Sequence, residues 1–190
     1  ANGKTKKALI FDCDNTLWKG VLGEDGFDGI KIYQEVQYLA LQLSKKGVII
    51  GLCSKNNPED VDNVLKNHPD MILKDSDIVI KKVNWDNKVL NLQSISEDLN
   101  IGIDSLVFMD DSSFEIELIK QELPAVKVFQ VPAKEYEYGL KMNQIANLFC
   151  NLSETNEDTV HAEYNEVRFS DGNVDINSST GSNSNLVQKV

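Results

Sequence analysis

Positive charge is scarce in this sequence, and so are cysteine, histidine and long apolar runs; each shortage removes a class of function. Lys plus Arg number 19 against 30 Asp plus Glu, a formal net charge of −11. That balance argues against a nucleic-acid or anionic-membrane binder, so any phosphate must be held by local groups and a metal. The three cysteines, Cys13, Cys53 and Cys150, are an odd set with no CxxC spacing. No disulfide framework follows, and reduced thiols in a cytoplasmic protein are expected. His68 and His161 lie outside every motif and are expected at the surface. The apolar run that follows Lys4, Lys6 and Lys7 is broken at Asp12, so neither a leader segment nor a membrane span is expected. What the chain does have is length for one full core: 190 residues, 41% hydrophobic.

Three short apolar runs end in polar residues. They are Ala8–Cys13, closed by acidic residues, Val48–Cys53, ending at Ser54, and Ser105–Met109, ending at Asp110-Asp111. Each reads as a buried strand delivering polar groups at its carboxyl end. Weaker strands are expected near Met71–Leu73 and Val126–Val131. Helical spacings lie between them: Ile32, Val36, Leu39, Ala40 and Leu43, stopping at Gly47; a helix opened by Asn56-Asn57-Pro58 and ended before Pro69; Val89, Leu92, Ile95 and Leu99; Phe114, Leu118 and Ile119; and Leu140, Ile145, Leu148 and Phe149. Strands alternating with helices predict an α/β fold, a Rossmann-like three-layer sandwich with a mostly parallel five-stranded sheet. Residues 18–30 hold four glycines and read as a small flap beside the first strand, a minimal cap. The expected division is a core over 1–150, a helical extension over 151–168 and a flexible polar tail over 169–190.

Ligands of such sheets bind beyond the carboxyl ends of the strands, where these polar tips would gather. Phosphoryl transfer needs a nucleophile, a proton donor for the leaving oxygen, and positive groups to hold the charged oxygens. Asp12 and Asp14, two apart at a strand end, supply the first two: Asp12 to attack phosphorus, Asp14 to protonate the leaving oxygen and then activate water. Crowded carboxylates repel, so a Mg²⁺ ion is expected among Asp12, Asp14, Asp110 and Asp111. Asp14 would offer its backbone carbonyl. Ser54 is placed to bind a phosphate oxygen and Lys88 to neutralise charge, with Thr16, Lys55, Asn56 and Trp18 as further substrate-binding candidates.

Phe11-Asp-Cys-Asp-Asn-Thr-Leu-Trp18, Leu52-Cys-Ser-Lys-Asn-Asn57, Trp85-Asp-Asn-Lys88 and Val107-Phe-Met-Asp-Asp-Ser112 resemble, in order and spacing, the four motifs of the haloacid dehalogenase superfamily. Residues 17–26 with Cys53-Ser-Lys-Asn-Asn57 look like its FkbH-like branch, and the resemblance covers roughly residues 7 to 168. It implies the roles above for Asp12, Asp14, Ser54, Lys88, Asp110 and Asp111, with Mg²⁺ as cofactor and a phosphorylated small molecule as substrate. The branch further implies glyceryl transfer: an acyl group taken from 1,3-bisphosphoglycerate, with loss of phosphate, and delivered to an acyl carrier protein in polyketide biosynthesis. Cys13, between the two aspartates, would then be the thiol that carries the glyceryl group. Lys19 and Ser112-Ser113 depart from the branch's pattern.

Plainer readings stand beside these. Cys13 packs equally well as a small buried side chain, Ser54 can be a turn or helix-cap serine, Asp111 can cap the helix after it, and Trp18 can simply anchor the flap. Lys81 and Lys82 compete with Lys88. A plain phosphomonoesterase, and a non-catalytic interaction domain that keeps only the fold, are the rivals to transfer. A response-regulator receiver, with similar residues in another order, is excluded because here the DxD comes first and the acidic pair late.

Overall fold

The computed structural model describes residues 5–152 and two short segments, 168–170 and 173–175. In chain order the elements are β1 (Ala8–Phe11), β2 (Trp18–Lys19), α1 (Leu22–Asp25), β3 (Lys31–Ile32), α2 (Gln34–Lys45), β4 (Ile49–Ser54), α3 (Pro58–Asn67), β5 (Ile80–Val83), α4 (Lys88–Asp98), β6 (Leu106–Asp110), α5 (Ser113–Glu122), β7 (Lys127–Gln130) and α6 (Tyr138–Ala146). Five strands form one sheet in the order β5-β4-β1-β6-β7, every pair parallel. The α/β fold with a parallel five-stranded sheet is as the sequence predicts.

β1 lies at the centre because all four of its side chains are apolar, and an alternating strand sends them to both faces. Leu9 and Phe11 join a core with Val36, Leu39 and Leu43 of α2, Val61 and Leu65 of α3, and Met142 and Ile145 of α6. Ala8 and Ile10 join a second core with Leu92 and Ile95 of α4 and Ile119 of α5. Burying each of the larger of these side chains, Val, Leu, Ile, Met or Phe, stabilises the fold by about 1.5–3 kcal/mol. Gly51 of β4 lets the sheet close: a Cβ there would stand 2.8 Å from Ile10 Cδ1 and from Ile80 Cγ2 of the two flanking strands. Residues 18–32 form the expected flap, in which β2 pairs antiparallel with β3 around α1.

Several expectations are corrected. The fifth strand is Ile80–Val83, not Met71–Leu73. Met71 and Leu73 are buried in a loop whose backbone is held by a side chain instead: Gln37 Oε1 accepts from Ile72 N and Leu73 N at 3.0 and 3.1 Å. β5 hides from pattern reading because Lys81 and Lys82 interrupt it, a common protection of sheet edges. Lys81 pairs with Asp62 and Asp75, and Lys82 with Asp98. Phe114 and Leu140 are exposed, not core; Glu115, Ile116 and Ile119 turn inward on α5, and Tyr138, Met142 and Ile145 on α6. His68 is buried, its ring 4.9 Å from that of Phe27 and its Nδ1 accepting from Asp70 N. His161 and the Cys150 side chain lie outside the described residues.

Among the described residues no helix is long and apolar enough to cross a membrane. The chain divides into two units, Ala1–Leu152 and Ser153–Val190. Of the second, the described part is an antiparallel pair, β8 (Arg168–Ser170) with β9 (Asn173–Asp175). The helical extension and tail expected there otherwise lie outside the described residues.

Candidate active site

β1 delivers Asp12 to the carboxyl edge of the sheet, where Asp12 N still donates to Met109 O of β6 at 2.9 Å. The chain then turns sharply. Thr16 N and Leu17 N return to Cys13 O, and Asn15 adopts a left-handed φ of 52°, a conformation asparagine tolerates. Asn15 is latched to the flap by reciprocal bonds, Gly20 N to its Oδ1 at 2.9 Å and its own N to Gly20 O at 3.2 Å. Tyr138 of α6, fully buried, donates from its hydroxyl to Thr16 O at 2.8 Å. The loop is thereby fixed from both sides.

Lys88, the first residue of α4, reaches across the sheet edge. Its Nζ lies 3.1 Å from Asp12 Oδ1 and 2.6 Å from Asp110 Oδ2, and the three residues are buried. Burial by itself would lower the Lys88 pKa, but the two carboxylates outweigh it and hold the ammonium above the ordinary lysine range. Burial pushes the Asp12 carboxyl up to about 7, with Lys88 opposing and Asp110 adding to the rise. Asp111 is raised by burial and then by Asp110. Lys81 and Lys82 point to other partners, so Lys88 alone of the three meets these acids.

Asp12, Asp110 and Asp111 each present a carboxylate oxygen, all within 4.8 Å of one another. Three hard oxygen donors this close suit a small divalent cation such as Mg²⁺, which would also relieve their repulsion. The late pair divides its work. Asp110 accepts from Lys88 and, through Oδ1, from Ser112 N at 2.9 Å, whereas the helix cap is Ser112, whose hydroxyl accepts from Glu115 N. Asp111 therefore does not cap α5.

The Asp14 carboxylate stands outside that trio. Its Oδ1 accepts from Trp18 Nε1 and Leu22 N, both at 2.9 Å, and its Oδ2 from Asn56 Nδ2 at 3.0 Å. Trp18 is wholly buried and joins the flap to the site through that bond. Lys55 Nζ lies 2.6 Å from Glu115 Oε1. The buried Thr16 Oγ1 and Glu115 Oε2 have no hydrogen-bond partner, whereas the buried Ser54 hydroxyl has at most a loose contact with the Asp12 carboxylate, whose pKa it helps to lower. Buried hydroxyls left unpaired are costly and mark places where a ligand's oxygens are received. Ser54 does not cap α3, which begins after Asn57. Cys13 is fully buried in the core, and burial first, then the Asp12 charge, raises its thiol pKa well above the usual value.

Sequence reasoning missed Tyr138, Gln37 and Glu115. Only Glu115 carried a signal, standing four residues after Asp111 at the start of a helix. Tyr138 and Gln37 act on backbone from helices with no motif; Gln37 Nε2 donates to Leu17 O at 2.9 Å.

No protein-family model and no curated protein sequence matches the chain. Solved structures do. The N-terminal part of a Bacteroides fragilis protein, containing a phosphatase domain and complexed with Mg, is 39% identical over 80% of this chain, with a TM-score of 0.75. The chain spans 42% of that relative's length. Two more distant solved structures share the fold alone. A HAD-family enzyme from Bacteroides thetaiotaomicron, with magnesium and inorganic phosphate, is 15% identical, covering 67% of this chain and 95% of its own at a TM-score of 0.54. The 3-deoxy-D-manno-octulosonate 8-phosphate phosphatase of Moraxella catarrhalis, with magnesium and phosphate ions, is 14% identical, covering 84% and 93% at 0.57.

Proposed function

We propose that the chain is a Mg²⁺-dependent phosphohydrolase working through an aspartyl-phosphate on Asp12. The observation that carries this reading is the trio Asp12, Asp110 and Asp111, with oxygens within 4.8 Å, joined to Lys88 beside the unpartnered Thr16 hydroxyl and the buried Ser54 hydroxyl. A bound Mg²⁺, held by that trio and by the Asp14 backbone carbonyl, would neutralise charge on the phosphoryl oxygens. Asp12 attacks phosphorus through one carboxylate oxygen; the bond from phosphorus to the leaving oxygen breaks, and Asp14 gives that oxygen its proton. Water, deprotonated by Asp14, then cleaves the aspartyl-phosphate, releasing phosphate and restoring Asp12. Lys88 balances the charge on Asp12, while Thr16 and Ser54 donate to phosphoryl oxygens. In the observed conformation Asp14 accepts at both oxygens, so carrying a proton requires it to turn from one donor.

Substrates are phosphorylated small molecules, and a cytoplasmic setting fits the unpaired Cys13 and Cys53. The test is turnover of p-nitrophenyl phosphate with Mg²⁺, expected to vanish with chelator and in Asp12→Asn, together with an acid-stable phosphorylated protein in the wild type. Full turnover by Asp12→Asn would overturn the assignment. Glyceryl transfer from 1,3-bisphosphoglycerate to an acyl carrier protein is the finer variant, supported by the resemblance of residues 17–26 and 53–57. The burial of Cys13 and its raised thiol pKa weigh against that side chain as the carrier, and so favour hydrolysis. Incubating the wild type and Cys13→Ser with 1,3-bisphosphoglycerate and Mg²⁺, then measuring intact mass, separates the variants: a glyceryl adduct lost only in Cys13→Ser supports transfer through Cys13.

A further inference from the structure

The hydrolase reading accounts for the centre of the site and leaves one large exposed side chain, three residues before Lys88 in the chain, unexplained. Trp85, in the loop from β5 to α4, is 69% exposed. A tryptophan in water is normally either loosely held or waiting for a partner. This one is held: its indole N–H donates to Asn57 Oδ1 at 3.2 Å, so the ring is tethered by its polar edge while most of its surface stays in solvent. Two short threads lead from it to the reacting groups. Asn57 follows Asn56, whose Nδ2 donates to Asp14 Oδ2 at 3.0 Å. Trp85 itself stands three residues before Lys88, 3.1 Å from Asp12. The indole is thus tied through its N–H to the residue after Asn56, and its backbone belongs to the segment that leads into Lys88.

An aromatic ring fixed in this way loses little freedom on binding, and a flat ligand face stacks on it whatever its hydrogen-bonding edge. It contributes nothing to the core, where Trp18 is wholly buried. We propose that Trp85 is a specificity subsite that stacks on a planar aromatic ring in the leaving group of the phosphate ester, as in a nucleoside monophosphate or an aryl phosphate. The proposal rests on the phosphohydrolase reading and narrows its substrate class. Trp85 touches the leaving group and takes no part in bond making, so its removal acts on binding.

The experiment compares wild type, Trp85→Ala and Trp85→Phe on adenosine 5′-monophosphate, p-nitrophenyl phosphate and the acyclic glycerol 3-phosphate, all with Mg²⁺. Trp85→Ala is expected to raise KM for the two ring-bearing esters about tenfold. Its kcat should stay within about twofold and glycerol 3-phosphate should be unaffected; Trp85→Phe should restore most of the loss. A uniform fall on all three esters, or none on any, overturns the subsite while leaving the hydrolase reading intact. Should wild type turn over no phosphate ester, the hydrolase reading fails and binding alone judges the stack. The chain has two tryptophans, and the buried Trp18 is bonded to Asp14, so only the quenching that is lost in Trp85→Phe is assigned to Trp85. Quenching by adenosine 5′-monophosphate and not by glycerol 3-phosphate supports it, and equal response to both overturns it.

Discussion

Replacing Lys88 by Met tests the charge balance on which the site depends. The ammonium lies 3.1 Å from Asp12 and 2.6 Å from Asp110, with 5% of its side chain exposed, against 8% and 1% for its partners. Methionine keeps most of the volume and leaves the buried acids without a countercharge, which costs about 3–5 kcal/mol. At about 2–4 °C per kcal/mol for a chain of this size, melting should fall by roughly 6–20 °C at pH 8. The loss should be pH-dependent. Asp12 already titrates at about 7 with the lysine present; without it the carboxyl rises further, so at pH 5 it is neutral and the deficit shrinks. Adding Asp12→Asn to Lys88→Met should recover part of the loss, as a double-mutant cycle in urea would register. The assay is urea and thermal unfolding in chelator at pH 5 and pH 8. A deficit below about 1 kcal/mol at pH 8, or an equal one at both values, would refute the reasoning.

Metal-free wild type should lose stability as pH rises from about 4 to about 7. A carboxyl whose pKa goes up on folding, here from 3.8 to about 7, binds more protons folded than unfolded. The slope is therefore negative, worth roughly 4 kcal/mol at most; Asp12→Asn should flatten it in chelator, and an unchanged slope would exclude Asp12 as its source. Gln37→Leu removes an amide that binds Leu17 O, Ile72 N and Leu73 N. Three backbone groups lose their partner, and urea unfolding should show a loss of about 3 kcal/mol or more. Gly51→Ala forces a methyl to within 2.8 Å of Ile10 and Ile80 and should cost about 1–3 kcal/mol, measured the same way.

The strands that build the site were legible because each is a compact apolar run with an abrupt polar end, and only burial on both faces produces that pattern. Asp12, Ser54 and Asp110 stand at their ends, whereas Lys88 opens a helix and was singled out by the motif resemblance. β5 was not legible, since its two lysines belong to edge ion pairs that local pattern cannot anticipate. Phe114 and Leu140 misled for the opposite reason: helical spacing identifies a stripe and not which of its members the neighbouring strand covers. Tyr138 and Gln37 could not be found at all. Their bonds go to main-chain atoms up to 122 residues away, and the carbonyls and amides they serve have no identity in sequence.

The central position of β1 has a consequence for how the chain acquires its shape during synthesis. Ala8–Phe11 pairs with Ile49–Leu52 on one side and with Leu106–Met109 on the other. Until the second partner emerges, one side of the most apolar strand offers unmatched amide and carbonyl groups to any extended chain nearby. Such distant pairing also slows folding. A nascent or truncated polypeptide ending before Leu106 therefore lacks Asp110 and Asp111 of the proposed metal site and is primed to aggregate.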